Sequence, residues 1–199
     1  FQDCTFTLVN KDRYVDVSFF QVITDPRSLP DSETLPGRIF NPNENALPLV
    51  AIQLTNAIIR GEADMIRVDY ATELQLDWDN GLLAISGRMI DSRGALRRPS
   101  IVTSPIQLTF SNVTALIPKG LLRMRINGDG RFMLPIDREA TECVFKVDEG
   151  QAHVEINGVR EEDSQRNVLK LRGEANRYDV TPTLTDPMLA VTDEAGSSD

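Results

Sequence analysis

A strand-like pattern recurs along this chain, and it limits the fold more than any other feature. Val50, Ile52, Leu54, Asn56 and Ile58 occupy every second position, as do Leu74, Leu76, Trp78, Asn80 and Leu82. Ile106, Leu108, Phe110 and Asn112 do the same. Period-two spacing puts alternate residues on one face of a strand. Each run reads apolar, apolar, apolar, Asn on that face. The opposite faces match as well, as Gln53-Thr55, Gln75-Asp77 and Gln107-Thr109.

Two degraded copies extend the repeat. Asp3-Cys4-Thr5-Phe6 resembles Glu142-Cys143-Val144-Phe145 with Cys in the Asn slot, and Glu174-Ala175-Asn176-Arg177-Tyr178 supplies another copy. The slots fall at 4, 56, 80, 112, 143 and 176, separated by 52, 24, 32, 31 and 33 residues. Second strands are expected at Met65–Val68, Leu82–Ile85, Leu121–Ile126 and His153–Ile156. Gly61, Gly81, Gly120 and Gly150 precede them as corners. A short all-β unit repeating at this interval is a solenoid signature.

The repeat resembles the right-handed parallel β-helix of pectate-lyase-like proteins, over about residues 50–178. That resemblance implies coils whose strands pair in parallel, with inward Asn or Cys stacked at a corner. Trp78-Asp79-Asn80-Gly81-Leu82-Leu83 and Asn176-Arg177-Tyr178 also resemble β-helical regions of large multidomain bacterial proteins. An antiparallel β-sandwich or jelly roll is the alternative, because alternation alone fits it equally. The two cysteines separate the folds. Several coils at ~4.8 Å each put Cys4 and Cys143 on the order of 20 Å apart, beyond the ~7 Å reach of a disulfide. The solenoid therefore expects two free, buried thiols, and the sandwich permits a bond.

The domain reading is a single β-helical unit over 1–178, interrupted at 25–48. That insertion holds five of the eleven prolines. Proline removes ladder donors, so the segment reads as a loop that caps the first coil or covers a sheet. Glu161–Asn167 reads as one or two helical turns. Residues 179–199 contain five acids and no Lys or Arg, and read as a tail lacking fixed structure. The chain opens at Phe1 inside a strand-like run, which suggests a piece of a longer protein.

Composition narrows the function. The net charge of −9 and the absence of a basic stripe argue against nucleic acid. No apolar run approaches the ~18 residues of a membrane span. His153 is the single histidine and is expected to point outward from its strand. It cannot build a typical zinc site alone, and no nucleophile elbow accompanies it. No metal or cofactor is expected. Asn127-Gly128-Asp129-Gly130 reads as a tight turn, because an EF-hand spacing is lacking. Asn112-Val113-Thr114 matches a glycosylation sequon, but the repeat places Asn112 inward. Arg93, Arg97 and Arg98 read as a solvated loop.

Two kinds of site remain. Asp77 and Asp79 flank Trp78 and share the outer face. Paired carboxylates serve glycoside hydrolysis, and the β-helix resemblance implies acids with a basic partner, for which Arg88 and Arg123 are the candidates. The other is a polar ladder, Gln53, Gln75 and Gln107 with Thr55, Asp77 and Thr109, able to hydrogen-bond sugars. The preferred expectation is a non-enzymatic module of a larger, extracytoplasmic bacterial protein, contacting polysaccharide or another protein. A polysaccharide lyase or glycoside hydrolase is the alternative.

Overall fold

The computed structural model describes residues 1–14, 16–23, 50–70, 72–94, 105–125, 133–158, 168–179 and 188–192. Among them the chain is all-β and alternates between two sheets. The first sheet, A, contains β1 (Thr5–Leu8), β3 (Val50–Gly61), β5 (Leu74–Ile85), β7 (Ile106–Leu116), β9 (Ile136–Thr141), β10 (Val144–Lys146), β12 (Leu169–Glu174) and β13 (Arg177–Asp179). Sheet B contains β2 (Ser18–Ile23), β4 (Asp64–Asp69), β6 (Ile90–Arg93), β8 (Leu122–Arg125), β11 (Val154–Asn157) and β14 (Leu189–Thr192). Strands sit in sequence order within each sheet, and every described pair is parallel. The antiparallel sandwich is therefore excluded, since its hairpins would pair neighbours in opposite directions. The two sheets form no closed barrel, and their order is consistent with a parallel solenoid.

The inward rows of sheet A fill the space between the sheets. Leu54, Trp78, Phe110 and Ala140 stand in register on four successive strands, as do Ile52, Leu76, Leu108 and Arg138. All are buried. Trp78 sets a local rule. A Cβ on Gly81 would lie 2.0 Å from the indole Nε1, so only glycine fits beside it. Gly81 thus lets β5 run on through Leu82–Ile85, rather than opening a second strand there. The second strand of that coil is β6.

The corner of sheet A differs in detail from the expected slots. Asp3, Asn56, Asn80, Asn112, Glu142 and Ala175 all have φ between 51° and 56°. These are left-handed positions, which Asn tolerates better than other side chains. Asn56, Asn80 and Asn112 are exposed, not inward. A left-handed residue swings the chain between two strand segments and leaves its own side chain outside. Asn80 Nδ2 donates to Asn56 Oδ1 at 2.8 Å, and Asn56 Nδ2 donates to Asp3 Oδ1 at 2.8 Å. The residues that follow turn inward: Ala57, Val113 and Cys143 are buried. Cys4, Cys143 and Asn176 therefore stand one place past the Asn slot. Asn176 still serves the corner, as its Oδ1 accepts from the Cys143 amide at 2.9 Å and its Nδ2 donates to Ala140 O at 2.7 Å. Both cysteines are free; Cys143 is buried and Cys4 half-buried. The sequon Asn112 and its Thr114 are both exposed.

The Pro-rich 25–48 segment with its expected capping role, the expected turns at 161–167, and Asp129, Arg97 and Arg98 lie outside the described residues. Within the acidic tail, Leu189–Thr192 pair with β11 as β14, so part of that tail carries regular structure.

Candidate functional site

The outer face of sheet A carries the predicted polar ladder, in a shifted register. Gln75 pairs with Gln107, and Asp137 follows on β9. Gln53 does not join that row. It lies beside Asp77, and Thr109 and Glu139 continue its row. Thr55 is beside Asp79, with Ser111 next. The cause is the corner: matching Asn56 to Asn80 and Asn112 moves Gln53 two places from Gln75. Gln75 Nε2 donates to Asp77 Oδ2 at 2.9 Å, fixing both side chains. Gln53, Asp79, Gln107 and Thr109 are exposed, while Thr55, Gln75 and Asp77 are half-buried.

Past the corner the same sheet turns a different chemistry outward. Ile58 and Leu82 stand in register and are 39% and 38% exposed; Thr114 and Val144 continue the row. Polar rows and an apolar row thus lie side by side, separated by the Asn corner.

The expected acid–base set is not assembled. Asp77 and Asp79 are on the outer face of sheet A. Arg123 is on β8 in sheet B, and Arg88 lies just before β6. Arg123 Nε donates to Asp91 at 2.9 Å. Arg88 contacts Glu155 through Nη2, and its amide donates to Asp64 Oδ1 at 2.7 Å. Successive outward positions in one strand share a face, but nothing in the repeat specifies that residues of different strands belong to one sheet.

Sheet B instead carries a charge lattice that single-strand patterns do not reveal. Its outer positions place Arg67, Asp91, Arg123 and Glu155 in one row. Arg93, Arg125 and Asn157 form the next. Arg125 binds Asp91 through Nε at 3.0 Å and Nη2 at 2.7 Å. Arg93 reaches Asp16 at 3.1 Å, and Arg67 Nε donates to Asp69 at 3.1 Å, where Gln21 also donates at 2.9 Å. Arg93 is therefore part of a strand and an ion-pair network, not a solvated loop. Asp91 is 1% exposed. Burial alone would raise its pKa, but the hydrogen bonds from Arg123 and Arg125 outweigh burial and hold it below the usual carboxylate value. Burial likewise opposes the charge of Arg93, and Asp16, Asp91 and Asp69 more than offset it.

His153 faces the interior, contrary to the alternation expectation, and is fully buried. Two consecutive residues turn inward where each coil enters sheet B, as with Met65-Ile66, Met89-Ile90, Leu121-Leu122 and His153-Val154. Burial and the nearby Arg138 charge push the His153 pKa down to about 3. Among the described residues no group of three or more His, Cys, Asp or Glu is placed to hold a metal. No helix among them is long and apolar enough to cross a membrane. No known protein family, curated protein or solved structure matches the chain.

Proposed function

We propose that this chain is a right-handed parallel β-helix serving as a non-enzymatic module that contacts polysaccharide through the outer face of sheet A. The observation that carries the reading is the pair of in-register polar rows, Gln75–Gln107 and Gln53–Asp77–Thr109. Strand spacing repeats such groups every ~4.8 Å. Amides, hydroxyls and carboxylates on a flat surface supply both donors and acceptors for sugar hydroxyls. The exposed Ile58–Leu82 row alongside offers apolar contact for a sugar ring. The other charged surface, on sheet B, is taken up largely by internal ion pairs.

A lyase or hydrolase on the same scaffold would need a base or second acid converging on Asp77 and Asp79. Their register neighbours are Gln53, Thr109, Thr55 and Ser111, and the two candidate arginines are engaged on sheet B. The binding reading is therefore preferred. Affinity electrophoresis through a panel of neutral and acidic polysaccharides tests it. At least one polysaccharide should retard the protein, and Gln75→Ala with Gln107→Ala should relieve that retardation. Uniform migration across the panel, or robust cleavage of any polysaccharide that Asp77→Asn with Asp79→Asn abolishes, overturns it.

A further inference from the structure

Past the Asn corner, the outer face of sheet A gathers apolar side chains that no part of the described chain covers. Ile58, Leu82, Leu116 and Val144 all lie there and are exposed. Two outward rows cross this face from β3 to β13. The first reads Ile58, Leu82, Thr114, Val144 and Arg177. The second reads Arg60, Ala84, Leu116, Lys146 and Asp179. Before the corner, the outward positions of β5 and β7 are polar: Gln75, Asp77 and Asp79, then Gln107, Thr109 and Ser111. The apolar side chains are therefore clustered and have a polar border, which is the mark of an interaction surface.

The two rows are symmetric in chemistry about β7. Leu82 and Val144 stand one strand to either side of it, and both are apolar. Arg60 and Asp179 stand two strands to either side, and their charges are opposite. Thr114 and Leu116 lie on β7 itself. Such a pattern is self-complementary, because a two-fold interface brings residue i of one copy to j of the other and j to i. A two-fold axis along β7 sets Leu82 against the partner's Val144, Leu116 against the partner's Leu116, and Arg60 against the partner's Asp179. Shifting the axis by half a strand sets Arg60 against the partner's Lys146, and like charges repel. The charges thus select one alignment. Both members of the ion pair are exposed and able to take a partner. Arg60 donates through Nε to Thr7 Oγ1 at 3.1 Å, and a guanidinium has further donors to give. Asp179 binds Lys146 through Oδ2 at 2.8 Å, and a carboxylate has a second oxygen.

We propose that a second copy of this chain docks face to face on this surface, forming a two-fold dimer whose axis runs along β7. The strands of the two copies then run the same way, and their coils stack in opposite directions. Five strands and three outward positions on each span roughly 20 by 24 Å, on the order of 1,000 Å² buried over the two copies. That is the lower end for a specific interface, so the dimer is weak and forms with rising concentration. Arg177 falls opposite the partner's Ile58, where its aliphatic stem covers apolar surface and its charge stays in water. The polar rows Gln75–Gln107 and Gln53–Asp77–Thr109 lie before the corner and stay open in this pairing. A sugar ring and the second copy compete for Ile58 and Leu82.

The test is sedimentation equilibrium of the whole chain from about 1 μM to about 1 mM, the range in which an interface of this size assembles. The average mass should rise from that of the monomer toward twice that value and no further. Leu116→Lys places two like charges on the axis and should weaken the dimer at least tenfold. Arg60→Glu should weaken it as well, and Arg60→Glu with Asp179→Lys should restore it, because exchanging the charges keeps them complementary. All substituted positions are exposed, and an unchanged melting temperature verifies the fold of each variant. A monomer at every concentration, a dimer untouched by Leu116→Lys, or a double variant no better than Arg60→Glu alone would each overturn the proposal.

Discussion

The outer faces of sheets A and B are built from the same coils, yet they treat charge in opposite ways. Sheet A leaves its polar groups open: Gln53, Gln107, Thr109 and Asp79 face solvent with few partners. Sheet B folds its charges onto one another, so that Asp91 is almost wholly buried under Arg123 and Arg125 although it points away from the core. An outward side chain is thus not always an available one. What decides availability is whether neighbouring coils supply a counter-charge in register. On sheet A they supply amides and hydroxyls around Asp77 and Asp79, and counter-charges only on the later strands, where Arg172 binds Asp137 at 2.9 Å and Lys146 binds Asp179 at 2.8 Å. On sheet B they supply ions of opposite sign.

Acid offers the broadest means of separating these regions, once the core is accounted for. His153 has a folded pKa depressed from 6.5 to about 3. A depressed value means its contribution is complete above pH 6.5 and is lost as pH falls toward 3, by up to about 5 kcal/mol. Asp91 is depressed from 3.8, so its contribution persists until the pH drops below that. Urea unfolding as a function of pH should therefore decline in two stages, and His153→Phe should remove the first. A single decline beginning below pH 4 in the wild type would mean His153 is not buried as described.

Next in size is the removal of the lattice's buried anion. Asp91→Ala should cost about 3 kcal/mol, because it leaves Arg123 and Arg125 without their shared partner. Chemical denaturation measures this directly, and a cost under about 0.5 kcal/mol, typical of exposed pairs, would erase the contrast between the sheets. Asn80→Ala comes next, at about 1 kcal/mol. It strains a left-handed residue and removes the amide bond to Asn56, and Asn80→Gly should cost less because glycine relieves the strain. The smallest effect belongs to sheet A, where Asp77→Asn with Asp79→Asn should change stability by less than about 0.5 kcal/mol. A large loss there would assign these acids a bracing role like that of Asp91.

Sequence made some of this legible. Inward rows such as Leu54, Trp78 and Phe110 follow from period two, because a buried face allows only apolar residues there. Register was harder. A slip of two residues preserves every inside and outside assignment, so nothing in the alternation distinguishes Gln53 beside Gln75 from Gln53 beside Asp77. The corner settles it through backbone conformation, and that signal weakens where Glu142 or Ala175 takes the left-handed place of Asn. In sheet B the strands at Met65–Val68, Leu121–Ile126 and His153–Ile156 were legible as β4, β8 and β11, but β6 and the charge lattice were not. Its strands are short, and Ile90-Asp91-Ser92-Arg93 has a single apolar residue to mark a periodicity. The partners that define its lattice come from different coils, as with Asp91 and Arg123, and only pairing reveals them. His153 escaped because two consecutive residues turn inward at each entry to sheet B, which breaks the alternation on which its outward placement rested.

The most direct test of the division between an open and a braced face is a side-by-side affinity titration against a polysaccharide that retards the wild type. Three proteins are compared: wild type, the sheet A variant Gln75→Ala with Gln107→Ala, and the sheet B variant Arg67→Gln, with folding of each verified by its melting temperature. The account predicts at least a tenfold weaker affinity for the sheet A variant and an unchanged affinity for Arg67→Gln. Loss of binding in Arg67→Gln with full affinity in the sheet A variant would contradict it and move the contact surface to sheet B.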